Sequence, residues 1–118
     1  MTSPASAPQF FTELTSGGWR SMDFVPFREG VDICELCAGE PAVALLRYAP
    51  GASVPKHLHT GLETILVLDG VQSDERGDYP AGSLMLNPTG SIHSVWSKEG
   101  CVVLIQWSRP VLFIEDDD

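Results

Sequence analysis

The sequence predicts an all-β domain, a small β-sandwich or barrel, because many short apolar or alternating runs are separated by residues that form turns. Six runs have the length and pattern of strands: residues 31–37, 42–49, 64–71, 83–87, 92–96 and 101–107. The segments between them are rich in Gly, Pro and charged residues, including a predicted turn at residues 74–78. A chain of 118 residues that is 43% hydrophobic has enough apolar material for one core, so we predict a single domain.

The two ends of the chain differ from this β region. Residues 1–9 are rich in Pro, Ala and Ser, which predicts disorder, and residues 10–20 have a weak pattern that fits one short helix. The last four residues are all acidic and are expected to be solvated. We therefore divide the chain into a partly disordered N-terminal arm at 1–20, a β-barrel at 21–112 and an acidic tail at 113–118.

Two of the predicted strands are apolar on both faces. Residues 64–68 and 102–105 are almost continuously apolar. Because successive strand residues point to opposite faces, one face can pack in the barrel core while the other needs a second cover. We expect a second copy of the chain to supply that cover, so the sequence predicts a homodimer.

The charge balance excludes direct binding to nucleic acid. Sixteen acidic and seven basic residues give a net charge of −9, and no basic patch is available to replace phosphate counterions. No apolar run reaches the length of a membrane span, and the first residues lack the basic and apolar regions of a signal peptide. We therefore expect a cytoplasmic protein without a membrane partner.

The three cysteines do not form a recognisable disulfide or metal framework. Cys34 and Cys37 make a C-x-x-C, but residues three apart on a strand point to opposite faces, so we interpret them as packing or surface thiols. Cys101 opens an apolar run and is expected to be a small buried hydrophobe.

All three histidines and one glutamate occupy fixed positions in a two-part pattern. The first part is Gly51, five residues, His57-Leu58-His59, three residues, Glu63, six residues and Gly70. The second is Gly82, five residues, Pro88-Thr89-Gly90, two residues and His93. Each of these nine typed positions is matched by chance at most about one time in ten, so coincidence is excluded in practice. We interpret the pattern as one metal site.

Strand geometry explains the spacing. His57 and His59 are two residues apart, so on a strand both imidazoles project from the same face. Thr60-Gly61-Leu62 fits a short turn or bulge in which Gly61 takes a positive φ, so that Glu63 opens the next strand facing inward. His93 comes from a later strand.

Imidazoles combined with a carboxylate bind iron(II), zinc, manganese, nickel or copper, and the absence of a thiolate argues against a Cys-rich structural zinc site. We predict His57, His59, Glu63 and His93 as ligands of one divalent transition metal per chain, either Fe, Zn, Mn or Ni. The ligand set does not choose among these metals.

The two-part pattern resembles the two motifs of the cupin superfamily, and further segments resemble the ChrR-like cupins. Those segments are residues 44–52, Gly77-Asp78-Tyr79-Pro80-Ala81-Gly82, Asn87-Pro88 and Glu99-Gly100-Cys101. The resemblance implies a double-stranded β-helix, the RmlC-like jelly roll, with one metal and a dimeric assembly. In the ChrR-like group such a domain forms the metal-binding half of zinc-containing anti-sigma factors and also occurs alone.

The chain departs from the family pattern at two positions. Ser97 stands where the second motif has an asparagine, which is not a metal ligand, so the predicted ligands are unaffected. The group has Gly-Gly-Glu-Glu where this chain has Gly61-Leu62-Glu63-Thr64. The resemblance therefore predicts that the ligand Glu63 is kept and that the acidic group beside it is replaced by Thr64.

Two functional classes remain open, because fold does not fix function. The resemblance implies a metal-binding domain that binds a small ligand and has a sensory or regulatory role. A sigma-inhibiting role is disfavoured, since no histidine precedes His57 to complete the zinc motif of the anti-sigma factors. The alternative is a small metal-dependent dioxygenase that cleaves a diketone or a related carbonyl compound, or another cupin enzyme.

The sequence assigns no catalytic residue. No histidine remains outside the ligand set to act as a general base, so proton transfer would fall to Glu63, Tyr48, a buried acid or metal-bound hydroxide. Weak candidates for ligand contact are Arg47, Tyr48, Trp96, Gln106 and Trp107.

Overall fold

The computed structural model describes residues 7–114, and its ten antiparallel strands confirm the all-β prediction. The strands are β1 Val25–Arg28, β2 Val31–Cys37, β3 Ala42–Tyr48, β4 Ala52–His59, β5 Glu63–Asp74, β6 Gly77–Pro80, β7 Leu84–Asn87, β8 Ile92–Ser97, β9 Cys101–Trp107 and β10 Val111–Phe113. Two 3₁₀ turns, Leu14–Ser16 and Gly18–Ser21, precede them.

The strands form two sheets that share β5. The first sheet has the order β1-β2-β3-β9-β5-β7, and the second has the order β10-β4-β8-β5-β6. β5 can serve both sheets because its pairing with β9 is interrupted by a bulge between Val67 and Asp69, which bends the strand from one sheet to the other. This arrangement is the predicted double-stranded jelly roll.

The main core lies between the two sheets. Leu46, Val103 and Val67 are paired across β3, β9 and β5, and all three are buried. Val95 on β8 packs against them from the second sheet. Inward-facing residues of both sheets thus form one apolar core, which continues into the site described below.

The outer face of the first sheet is also apolar, and the chain covers part of it. Leu45, Leu68 and Val102 are buried on this face. Residues of the segment that precedes β1 pack against them: Leu14, Trp19, Met22 and Phe24. Part of the second cover required by the sequence therefore comes from the chain itself. At the β7 edge, Leu84 and Leu86 are 63% and 62% exposed.

Several predicted element boundaries were wrong. β5 continues to Asp74 and β6 begins at Gly77, so the predicted turn at 74–78 is a tight two-residue turn at Glu75-Arg76. β1 and β10 were not predicted, because short edge strands carry too few residues to show an alternating pattern. The single helix expected in residues 10–20 is replaced by two 3₁₀ turns, since the pair Gly17-Gly18 disfavours a continuous helix.

Residues 1–6 and 115–118, which include part of the predicted arm and the acidic tail, lie outside the described residues. The division of the chain at residues 20 and 112 stays a prediction, although the last strand ends at Phe113. Within residues 7–114, no helix is long and apolar enough to cross a membrane.

The three cysteines are free and lie where the sequence placed them. Cys34 is half-buried against the outer apolar cluster, and Cys37 is exposed. Cys101 is buried in the main core, and this burial raises its pKa to about 11. Burial also raises the pKa of Cys34. These environments fit packing and surface roles.

Candidate metal centre

The four predicted ligands converge in the core. His57, His59, Glu63 and His93 are all buried, and one nitrogen or oxygen from each lies within 4.8 Å of the others. Two ligands on opposite sides of one transition metal ion are about 4.4 Å apart at most. The four side chains therefore surround a space of the size of a single ion.

The strand register creates this convergence. His57 and His59 lie on one face of β4, and His57 is paired directly with His93 on β8. Glu63 is the first residue of β5 and is buried, as predicted. The three imidazole rings are 4.7–5.0 Å apart between centroids and meet edge to face, so each ring can direct an edge nitrogen towards the same point.

The turn that separates β4 from β5 differs from its prediction. Gly61 does not have a positive φ. A Cβ at this position would instead lie 2.9 Å from Arg109 Cγ, and the backbone nitrogen of Arg109 would be 3.2 Å away. Glycine is therefore required here by the close approach of the segment after β9, and not by a left-handed backbone.

Each histidine has its Nδ1 atom fixed by a neighbour. His57 donates to the carbonyl oxygen of Pro55 over 2.8 Å, and His59 donates to that of Ser91 over 3.0 Å. His93 donates to the Asp74 carboxylate over 3.0 Å. Because carbonyl and carboxylate oxygens only accept hydrogen bonds, and the Ser91 hydroxyl near His59 donates to Pro88, these contacts place a proton on each Nδ1 and leave each Nε2 as the atom that can bind a metal.

The remaining nitrogens fit a cation. Within the described residues, the buried Nε2 atoms of His59 and His93 have no hydrogen-bond partner. His59 Nε2 lies 3.1 Å from Glu63 Oε1, so a metal-binding nitrogen and a carboxylate oxygen face each other. Burial lowers the pKa of His57, which favours its neutral form. Such a cluster of acceptors is stabilised by a positive ion, and this donor set suits a divalent transition metal.

Asp74, which the sequence did not single out, holds His93 in place. Its carboxylate is 6% exposed and accepts hydrogen bonds from His93, from the Tyr79 hydroxyl at 2.7 Å and from the Arg76 amide at 2.8 Å. Burial alone would raise the pKa of Asp74, but these hydrogen bonds outweigh it and lower that pKa. Burial and the contact with Asp74 raise the pKa of Tyr79 to about 12. The carboxylate is thus charged and fixes the orientation of the imidazole.

A family model for the ChrR cupin-like domain matches residues 16–109. The chain belongs to the ChrR cupin-like family. It is 34% identical over 87 residues to the anti-sigma-E factor ChrR of Cereibacter sphaeroides, an alignment that covers 71% of this chain and 41% of that protein. The chain therefore spans less than half the length of this curated relative.

Two solved structures show the same fold. The complex of Rhodobacter sphaeroides SigE with the anti-sigma ChrR superposes with a TM-score of 0.71 and 23% identity over 90% of this chain and 70% of that chain. An acetylacetone dioxygenase from Acinetobacter johnsonii superposes with a TM-score of 0.78 and 18% identity over 98% of this chain and 83% of that chain. At these identities the similarity shows the fold alone.

The position at which this ChrR-like cupin departs from its group lies away from the metal centre. Thr64 follows Glu63 on β5, so its side chain points to the outer face that also carries Leu66, and it is paired with Gln106 and Leu86. The acidic group that is missing at residue 64 is therefore not a neighbour of the metal ligands, because residue 64 faces away from the site. The nearby carboxylate is Asp74, from the other end of the same strand.

A cavity of about 480 Å³ opens beside the cluster of this ChrR-like cupin. His57, Glu63 and His93 form part of its wall. Of the five weak candidates for ligand contact, Tyr48 and Trp107 line the cavity, whereas Arg47, Trp96 and Gln106 do not. Arg47 is paired with Asp32 over 3.0 Å instead. Among the lining residues that the sequence did not single out are Arg28, Gln72 and Phe113, which lie outside the fixed positions of the two-part pattern.

Replacing Asp74 by asparagine is expected to weaken metal binding about tenfold, because an amide oxygen accepts from His93 with less negative charge than a carboxylate does. Asp78→Asn is the matched control, since that carboxylate bonds to Ser73 and not to a histidine. Affinity is measured by competition with a chelator at fixed pH. Equal affinities for the two variants would contradict the role assigned to Asp74.

Proposed function

We propose that this ChrR-like cupin binds one divalent transition metal through His57, His59, Glu63 and His93 and acts as a ligand-binding sensory or regulatory domain. The observation that carries the proposal is the buried cluster itself, in which every Nδ1 is fixed and unpartnered Nε2 atoms face a carboxylate. The metal, when bound, supplies a Lewis acid beside the cavity, at which a small molecule can be held. The proposed compartment remains the cytoplasm.

The regulatory part of the proposal is supported by the family. The curated relative is an anti-sigma factor, and its structure was solved with SigE. Because this chain aligns with only 41% of that relative, we extend to it a regulatory role and not the binding of a sigma factor.

A metal-dependent dioxygenase is the alternative, and the cavity beside the cluster favours it because a substrate has room to reach the ion. Among the described residues, two candidates for the base that transfers a proton are Tyr48 and Asp74, and neither is suited to that role. Burial raises the pKa of Tyr48 far above its usual value, so this phenol stays protonated and is a poor base. The buried Asp74 is already bound to His93 and Tyr79. We therefore prefer the sensory function.

Metal identity and oxygen consumption separate the two functions. A redox-inert ion such as zinc cannot pass electrons to dioxygen, so the oxygenase requires iron or another redox-active metal. We expect protein purified without added metal to contain zinc, and iron(II)-loaded protein to consume no oxygen with small β-diketones, 2-oxo acids or phenols. The His59→Ala variant is the control for uptake by free metal. Substrate-dependent uptake by the iron-loaded protein that this variant lacks would establish the enzyme instead.

The exposed leucines of β7 support the homodimer. Leu84 and Leu86 lie on the outer face at the open edge of the first sheet, and Leu84 is paired with Leu66 in an apolar row that continues to Leu104. We propose that the same surface of a second copy covers them in a two-fold interface. Light scattering at micromolar concentration should report a dimer, and a Leu84→Glu, Leu86→Glu double variant should be a monomer. Val25→Glu, at the opposite edge, is the control, and a monomeric unmodified protein would contradict the proposal.

A further inference from the structure

One polar side chain in the cavity has no role in the proposed metal site. Gln72 lies in the second half of β5, is 2% exposed and lines the cavity. Its Nε2 atom makes no hydrogen bond to any described residue. The amide lies near the Tyr48 hydroxyl, where burial raises the pKa and the Gln72 amide lowers it by a smaller amount. A buried N–H group without an acceptor is costly, so its presence calls for an explanation. A ligand oxygen in the cavity would supply the missing acceptor.

Most of the remaining wall is apolar. The apolar side chains that line it come from several strands and include Leu46, Val54, Ile65, Ile105, Trp107 and Phe113. A cavity of about 480 Å³ has the size of sites that hold small organic molecules. The ligand that fits it is therefore small and mainly apolar, with few polar groups at defined positions.

The charges around the cavity favour an anion. The two charges of a divalent ion would be balanced by the carboxylates of Glu63 and Asp74, the second of which is bound to His93. Arg28 is the positive charge left without a partner, since it lines the cavity, makes no ion pair with a described residue and has its guanidinium carbon 4.8 Å from the ring centre of Phe113. The ring of Phe113 is in turn 5.8 Å from that of His57. A positive site in a chain of net charge −9 selects for a negatively charged group.

We propose that the cavity binds a small aliphatic monocarboxylate that carries a ketone oxygen, and that Gln72 is the residue that orients it. The carboxylate lies on the side of the metal and Arg28, and the ketone oxygen accepts a hydrogen bond from Gln72 Nε2. The carboxylate half of this proposal rests on the proposed metal site. The ketone half rests only on Gln72 and the cavity.

The test compares hexanoate with 2-oxo, 4-oxo and 5-oxo hexanoate by calorimetry on zinc-loaded protein. At least one oxo compound is expected to bind about tenfold more tightly than hexanoate, because it satisfies the buried amide. Gln72→Met keeps the length of the side chain and should remove this preference. Gln106→Met is the matched control, because Gln106 is paired with Thr64 and does not line the cavity.

A second measurement needs no variant and so does not depend on whether Gln72→Met folds. With the ketone carbon isotopically labelled, the infrared stretch of the bound carbonyl in unmodified protein should shift to lower frequency than in an apolar solvent, as a hydrogen bond requires. An unshifted band, no preference for any oxo compound, or a preference that persists in Gln72→Met would each overturn the role of Gln72.

The two halves of the proposal fail separately. If hexanoate binds more tightly than hexan-1-ol only while zinc is present, the metal side is supported. If zinc binds at one ion per chain but no hexanoate binds at millimolar concentration, the cavity proposal fails and the proposed metal site stands. If zinc does not bind but metal-free protein still prefers an oxo compound through Gln72, the proposed metal site fails and the role of Gln72 stands.

Discussion

Replacing His57 or His93 by alanine should reduce the metal content from about one ion per chain to about a tenth of that or less. Each substitution removes one of the four proposed ligands. The three that remain would hold the ion more weakly. The loss should also appear as a lower melting temperature in the presence of metal, because an ion that binds only the folded state stabilises it. Elemental analysis and thermal unfolding measure the two effects.

Glu75→Ala is the control for this experiment. Glu75 is the residue after Asp74, and its carboxylate bonds to the amide and hydroxyl of Ser94, but it does not belong to the cluster. We expect this variant to keep its metal. Unchanged metal content in both histidine variants would show that the four residues are not the ligands.

Gly70→Ala should unfold the domain or destabilise it by about 3 kcal/mol or more. Gly70 has a φ of +75°, and a Cβ there would lie too close to Gly100 O and 2.9 Å from Cys101 Cα. Both contacts are with backbone, so neither neighbour can move without shifting β9. The melting temperature should fall by about 10 °C or more, as measured by calorimetry or circular dichroism.

Gly82→Ala separates the strain of a positive φ from the steric collision with the backbone. Gly82 has a φ of +92° but no atom within 4 Å of the Cβ position, so this variant carries the backbone strain without the collision. We expect it to cost about 1–2 kcal/mol. If Gly70→Ala were no more destabilising than Gly82→Ala, the close approach of β5 and β9 would not be the reason for glycine at residue 70.

The four residues of the cluster could be identified from the sequence, whereas their supporting residues could not. Glu63, Ile65 and Val67 are odd-numbered and face the core, and continuing that alternation would place Gln72 and Asp74 outside. The bulge between Val67 and Asp69 reverses the alternation, so both even-numbered residues face inward. No property of those side chains reveals the reversal, because it depends on how β5 is shared between two sheets.

The cover of the outer face of the first sheet also could not be predicted from the residue pattern. The apolar pattern of β5 and β9 indicated that the outer face needs a cover, and we expected a second copy to supply it, whereas part of the cover comes from the segment before β1. Trp19, Met22 and Phe24 are scattered over a segment without periodicity, and their packing on Leu45 and Val102 depends on the path of the chain. The described chain leaves Leu84 and Leu86 of β7 exposed.

β5 touches the cluster at both of its ends, with Glu63 in the ligand set and Asp74 bound to His93. A bound ion would therefore act as a reversible crosslink that ties β4, β5 and β8 together in the folded state. Hydrogen exchange should be slower along the whole of β5 when the ion is bound. On this basis metal loss would change the rigidity of both sheets together, which gives the fold a physical means of reporting occupancy far from the ion.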